Sequence, residues 1–387
     1  MKIGKVINYG FEWYLNPARK RKTLAKPVIL NWPITENCNS RCLMCDVWKT
    51  TLKNELNAND WKSIFSDPLF TEIKYIGISG GEPTLRSDLA DLVEVALESF
   101  PKIEVLTITT HGFLSSRWEK HIKPIKKLVE AKNIAFTVNI SLDGIGGKHN
   151  EIRNIPKGFE KVEKTISVLK KENINLQIQT TILSQNVYHI GKIQNYLDEN
   201  HLHNSIFRLG VEIARLDNEE SMKPVQLNVN EASFFADYIG NYLQQNCGGS
   251  PARKLFYSDL QSRLINNTER KAPCFFQNEG VLLTSMGDMY HCSISTEKLG
   301  NTLTESPSEI YFSAKSRIIR EQLIMETCPK CLHDQSGAWT PIQLSKMMLK
   351  STKLNSILVN FKKLCTFLWN ILSTLPLIIG TYKKKQS

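Results

Sequence analysis

The stretch Ile34-Thr35-Glu36-Asn37-Cys38-Asn39-Ser40-Arg41-Cys42-Leu43-Met44-Cys45 sets three cysteines at C-x₃-C-x₂-C spacing. Thiolates this close in sequence reach one metal centre from a single loop, and cysteine is the usual ligand of iron–sulfur clusters. A 4Fe–4S cluster on Cys38, Cys42 and Cys45 would leave one iron without a protein ligand. An open metal position is what a site needs when a small molecule must bind the metal and react there, the distinction that separates catalytic from structural zinc. Alone, the triplet is also compatible with a zinc knuckle or with buried thiols.

Downstream, the apolar run Tyr75–Ser79 reads as a buried strand and leads into Gly80-Gly81-Glu82-Pro83. A cysteine triplet followed by this segment resembles the signature of the radical S-adenosylmethionine (SAM) enzymes. The resemblance implies that residues 80–83 hold the amino group of SAM. Glycines let backbone approach a ligand closely, and the carbonyls and Glu82 accept from an ammonium. Thr107–Gly112 resembles the family's third-strand end, with His111 where Asn is usual. Val138–Gly144 resembles the fourth-strand end and is followed by His149, Asn150 and Arg153. By the same resemblance Thr110, Ser141, Asp143 and Arg153 are candidate SAM contacts, with Ser141 and Arg153 assigned to its carboxylate or ribose. A surface ion pair is the ordinary alternative for Arg153. The resemblance covers roughly residues 28–335.

The chain has 387 residues, 41% apolar and 22% charged, as expected of a folded globular protein. No apolar signal-peptide core opens it, so its nine cysteines point to metal binding in a reducing, cytoplasmic setting rather than to disulfides. The net charge of +11 belongs to the ends. Residues 1–27 carry seven basic residues against Glu12, and residues 335–387 carry eight lysines and no acid. The body between them is slightly acidic, which argues against a nucleic-acid partner.

From residue 28 apolar runs alternate with helical patterns. Strands are predicted at Val28–Trp32, Ile73–Ser79, Val105–Thr110, Ile134–Leu142, Ile174–Ile182 and Ser205–Val211. Helices are predicted at Asn59–Phe65, Ser87–Phe100, Ser116–Ala131, Gly158–Glu172 and Val187–Glu199. The alternation predicts an α/β fold with a parallel sheet, and it resembles the partial (β/α)₆ barrel of radical SAM proteins over residues 28–212. The proposed SAM contacts fall just after strands, where ligands bind in α/β barrels.

Residues 213–270 read as a helical linker. A second cysteine set follows, Cys274, Cys292, Cys328 and Cys331, around a predicted hairpin of Gly280–Thr284 and Met289–Cys292. Residues 271–335 resemble the SPASM extension in its shortened "twitch" form, which implies one auxiliary 4Fe–4S cluster on these four cysteines. A Cys₄ zinc site and unliganded thiols remain alternatives. Cys247 has no evident role. Residues 1–27 read as a basic amphipathic segment. Residues 336–387 read as a basic, apolar tail that could attach peripherally to the inner face of a membrane, pack on the protein, or span the bilayer.

By resemblance, the cluster's open iron chelates SAM, and one electron, from a donor such as flavodoxin or ferredoxin, cleaves it to methionine and a 5′-deoxyadenosyl radical that abstracts hydrogen from a substrate. Three functional readings follow. The first is an enzyme acting on a small molecule, a sugar or a lipid-linked precursor. The second is a peptide-modifying maturase. The third is a non-catalytic electron-transfer protein, against which the segment Gly80–Pro83 argues. Polar residues of the barrel mouth, among them His111, Thr180, Thr181, Arg208 and Glu212, are candidates to touch substrate.

Overall fold

Strand β1 (Ile29–Thr35) is an interior strand of the sheet, with a neighbour on each side. It carries apolar residues on nearly every position, the pattern of a strand covered on both faces, and Leu30, Trp32 and Ile34 are fully buried. Pro33 has no N–H to give to a ladder, and the β1–β2 register shifts between Pro33 and Thr35. The structure is a computed structural model and describes residues 24–50, 54–245, 251–294 and 296–335. The N-terminal segment up to residue 23, Cys247 and the tail 336–387 lie outside the described residues.

The parallel strands β2 (Tyr75–Gly80), β3 (Val105–Thr110), β4 (Ala135–Ser141), β5 (Asn175–Ile182) and β6 (Ser205–Leu209) follow β1 in sequence and in space. Between them run α1 (Ala58–Phe65), α2 (Leu89–Ser99), α3 (Ser115–Ala131), α4 (Gly147–Arg153), α5 (Gly158–Lys171) and α6 (Ile190–Glu199). The predicted elements are all present, with ends moved by one to three residues; the six-stranded parallel sheet is open, a partial barrel. Helix α4 was not predicted. It lacks an apolar stripe, and Gly146, at φ +56°, starts it without a side-chain cap.

Helix α1 starts in a capping box between Asn57 and Asp60. It drives Trp61 and Phe65 against Trp32, with ring centroids 5.0 Å from that of Trp32 in both pairs. Such edge-to-face packing contributes about 1 kcal/mol per pair beyond burial, and it anchors the strand that carries the cysteine loop.

The sheet does not end at β1. Strand β7 (Gly280–Leu283) pairs parallel to it, Leu30 opposite Val281, and β8 (Asp288–Tyr290) and β9 (Gly300–Asn301) continue antiparallel. The predicted hairpin therefore exists, but its first strand lies beside β1 in one nine-stranded sheet. After β6 come α7 (Glu219–Met222), α8 (Val229–Gln245) and α9 (Pro251–Asn266), then α10 (Pro307–Phe312) and α11 (Ala314–Gln322). Among the described residues no helix is long and apolar enough to cross a membrane.

Candidate metal and cofactor site

The loop after β1 is held from four directions. Glu55 receives Thr35 Oγ1 at 2.9 Å and Glu36 N at 2.7 Å. Asn218, 1% exposed, donates Nδ2 to Met44 O at 2.8 Å and accepts from Ile213 N at 2.6 Å. Ser221 donates to Asp46. The C-terminal end of α4 accepts Leu43 N at Ile152 O, 3.0 Å, and Ser40 Oγ at Arg153 O, 2.8 Å. Below, Met44 packs with Ile152, Leu183, Met222 and Val225. Glu55, Asn218 and Ser221 escaped the sequence reading because nothing near them in sequence marks their partners.

Cys38, Cys42 and Cys45 are free thiols of intermediate exposure. The Cys38 thiol is pushed up to about 12, by burial first and then by Cys42, Glu82 and Cys45. That of Cys45 is pushed up to about 11 by burial and by Cys42. Cys38 and Cys45 are thus partly dry thiols whose cost of ionising the neighbouring Cys42 sulfur adds to, the situation that metal coordination relieves. Among the described residues no three His, Cys, Asp or Glu side chains converge closely enough to share a single ion. A cluster takes each thiolate on a separate iron, so this donor set fits a cluster.

Gly80 and Gly81 meet the neighbouring backbone more closely than any side chain allows. A Cβ on Gly80 would lie 2.1 Å from Thr35 O, and one on Gly81 2.1 Å from Asn37 O. The glycines therefore let the β2 turn pack against the exit of β1, tied by Gly81 N to Thr35 O at 2.7 Å and Glu82 N to Asn37 O at 2.8 Å. Pro83 starts the short 3₁₀ turn that follows.

Glu82 is fully buried and its carboxylate is fully engaged by protein. Oε1 accepts from Thr84 Oγ1 at 2.6 Å and Thr110 Oγ1 at 2.7 Å, and Oε2 accepts from His111 N at 2.9 Å. The carboxylate clamps the ends of β2 and β3 together, and the other acceptors of the segment are backbone carbonyls. Thr110 belongs to the same clamp. His111 Nδ1 accepts from Phe113 N at 3.0 Å, so the ring proton sits on Nε2, 2.7 Å from Asn39 Oδ1 in the cysteine loop. Burial holds the ring below its ordinary pKa, with Glu82 opposing.

At the end of β4, Ser141 lies opposite Gln179 of β5. Asp143, fully buried, accepts from Thr181 N at 2.8 Å and lies 2.5 Å from Arg153 Nε. Arg153 is 9% exposed, so its ion pair is buried rather than on the surface. Its Nη1 points at Cys42 Sγ, 3.7 Å away. Burial works against its charge, yet Asp143 and Cys42 hold its pKa above the ordinary value. His149 Nδ1 accepts from Asp143 N at 3.1 Å, and burial pushes this histidine down to about 3.

Of the other mouth residues, Thr180 donates to Leu142 O at 2.7 Å, Arg208 pairs with Asp334 at 3.2 Å, and Glu212 accepts from Gln226. Each has a structural partner.

The second set also comes together. Cys274 precedes a 3₁₀ turn, Cys292 follows β8, and Cys328 and Cys331 flank another 3₁₀ turn. All four are of intermediate exposure. Cys274 is pushed up to about 12 by burial, with Cys292 and Cys331 adding to the rise and Arg270 opposing. Burial also raises Cys328, with Cys292 and Cys331 adding to it. Arg270 Nη1 lies 3.6 Å from Cys331 Sγ. The turn Ala214–Leu216 after β6 bonds to this region through Ala214 N and Ile294 O at 2.8 Å.

An open parallel sheet with a three-cysteine loop after its first strand is the arrangement of a radical SAM domain. Residues 32–196 match the model of the radical SAM superfamily, whose enzymes use a 4Fe–4S cluster and SAM. The chain is 31% identical over 176 residues to the Fe-coproporphyrin III synthase of Methanosarcina barkeri, covering 45% of this chain and 41% of that one. It is 30% identical over 166 residues to a GTP 3′,8-cyclase of Clostridium perfringens, covering 39% and 45%. It spans less than half the length of either relative. Among solved structures, native anSMEcpe with bound AdoMet is similar in fold, with TM-score 0.59, 20% identity, and coverage of 89% of this chain and 99% of that one.

Proposed function

We propose that this chain is a radical SAM enzyme with two 4Fe–4S clusters, acting on a small molecule. Cys38, Cys42 and Cys45 hold the first cluster, and Cys274, Cys292, Cys328 and Cys331 of residues 271–335 hold the second. The observation that carries the reading is the 3.7 Å approach of Arg153 to Cys42 Sγ. It sets an arginine expected to contact SAM beside a sulfur expected to ligate the cluster.

When bound, the cluster supplies the electron that cleaves SAM to a 5′-deoxyadenosyl radical, the species that takes hydrogen from substrate. The protein's part is binding, orientation and exclusion of water. The SAM ammonium would be received by the segment of residues 80–83, where the carbonyls of Glu82 and Pro83 already accept from Leu85 N and Arg86 N and those of Gly80 and Gly81 are the candidates. Asp143 fixes the Arg153 guanidinium, and Ser141 closes the strand beside it. Glu82, Thr110 and His111 keep the strand ends and the cysteine loop in register.

A small-molecule substrate is supported by the two curated relatives, whose names describe conversions of a porphyrin and a nucleotide. A diffusible one-electron donor such as flavodoxin or ferredoxin completes the partners. The basic tail supports peripheral contact with a membrane, and deletion of residues 351–387 should then move the protein from the pelleted to the supernatant fraction.

The test is anaerobic reconstitution with iron and sulfide, followed by iron and zinc analysis and SAM turnover under a strong reductant. Brown protein that forms 5′-deoxyadenosine, with formation lost in Cys42→Ala and iron roughly halved in Cys328→Ala, is the expected result. Colourless zinc protein without SAM cleavage would overturn it.

A further inference from the structure

Each cysteine set has one arginine N–H directed at one of its sulfurs, Arg153 Nη1 at Cys42 Sγ and Arg270 Nη1 at Cys331 Sγ, at 3.7 and 3.6 Å. The surroundings of the two guanidiniums differ. Arg153 shares its charge with the fully buried Asp143, 2.5 Å from its Nε. Arg270 makes no ion pair among the described residues. Its other acceptors are carbonyls: Ala272 O at 2.8 Å, His333 O at 2.9 Å, and Gln335 O.

The next charges out repeat the contrast. Near the first set, Arg215 pairs with Glu36 at 3.4 Å, the buried carboxylate of Glu82 takes uncharged donors from Thr84, Thr110 and His111, and the exposed Arg41 bonds Cys38 O at 3.1 Å. Near the second set, Arg263 pairs with Asp259 at 3.1 Å and Asp334 with Arg208. Arg320, which lies within electrostatic reach of Cys328, bonds Gln277 O at 2.6 Å and Asn278 Oδ1, both neutral. The arginine directed at a sulfur is therefore neutralised by a carboxylate in the first set, whereas in the second it is bonded by carbonyls; Asp334 and Glu321 act on Arg270 and Arg320 from farther off and make no ion pair with them among the described residues.

Hydrogen bonds to sulfur, net charge and burial set the potential of an iron–sulfur cluster. Positive charge favours the reduced form, which carries one more electron, and a partly buried site screens that attraction poorly. Building on the two-cluster reading above, we infer that Arg270, supported by Arg320, holds a cluster on Cys274, Cys292, Cys328 and Cys331 at a higher reduction potential than a cluster on Cys38, Cys42 and Cys45. The first site then stays strongly reducing, as SAM cleavage requires, and an electron moves downhill from the first site toward the second. Arg270 is a positioning residue in this scheme: it touches a ligand sulfur and not the substrate.

The experiment is a potentiometric titration of the full, anaerobically reconstituted chain, followed by electron paramagnetic resonance. Cys42→Ala and Cys328→Ala assign the two signals. In wild type the second-site signal should titrate at the higher potential. Arg270→Gln should move that signal to a more negative potential while leaving the first in place, and Arg270→Lys, which keeps the charge, should move it less. Should Arg270→Gln fail to hold iron, the wild-type order and the Arg270→Lys shift decide the matter. A wild-type second site titrating below the first, or an unmoved second-site signal in an iron-replete Arg270→Gln, would overturn the ordering alone. About four irons per chain instead of about eight, unchanged by Cys328→Ala, would overturn the two-cluster reading and the ordering with it.

Discussion

Asn39 Oδ1 lies 2.7 Å from His111 Nε2, which ties the cysteine loop after β1 to the end of β3. The ring also stacks on Phe113, with centroids 4.2 Å apart. His111→Phe keeps a ring for the stack but leaves Asn39 Oδ1 and Phe113 N without partners. Stability should fall by about 2 kcal/mol, and reconstituted protein should lose iron to a chelator faster than wild type. Unchanged iron release would show that the loop does not depend on this tether.

Glu82 gathers hydrogen bonds from Thr84, Thr110 and His111 in a fully buried position. Glu82→Ala would orphan these donors. The metal-free protein, with no SAM present, should lose about 2–4 kcal/mol in urea unfolding. A residue whose only role is to receive SAM would leave the metal-free stability unchanged, so this measurement separates clamp from ligand.

Gly81→Ala sets a methyl 2.1 Å from Asn37 O, a rigid backbone atom at the start of the cysteine loop. The strand ends must part to admit it. We expect a loss of at least about 2 kcal/mol and a reduced iron content after reconstitution. Wild-type stability together with full iron loading would contradict the close packing of β1 on the β2 turn.

His149 titrates near 3 because it is buried, whereas an unfolded histidine titrates near about 6.5. Between these values the unfolded chain binds a proton that the folded chain does not. Its contribution to stability is therefore complete above about pH 6.5 and is lost as pH falls toward 3. From pH 6.5 to 5 this amounts to about 2 kcal/mol. The pH dependence of unfolding in His149→Phe should be shallower than wild type by about that amount; parallel curves would show that His149 takes up its proton in the folded state.

The sequence alone is informative about the site where near neighbours fix a residue's position. Cys38, Cys42 and Cys45 are spaced by a handful of residues, so their joint position on one loop follows from the chain itself. The parallel strands β1 to β6 were legible for a similar reason: alternating apolar runs and helical stripes are local patterns. Helix α4 was not legible, because its residues His149, Ile152 and Arg153 are buried by contacts with Asp143, Leu43 and Cys42 rather than along an apolar stripe.

What the sequence by itself determined, then, is the class of fold and the ligand chemistry, since both rest on side-chain type and short-range spacing. The tertiary structure alone decided which groups face one another across the sheet. It made Glu82 a clamp between strand ends, drew Arg153 inward to Asp143 and Cys42, and laid β7 against β1. It also set Arg270 beside Cys331 with carbonyls as its other acceptors. Each depends on pairing between distant residues, where burial and charge cancellation are set by packing that no local pattern encodes.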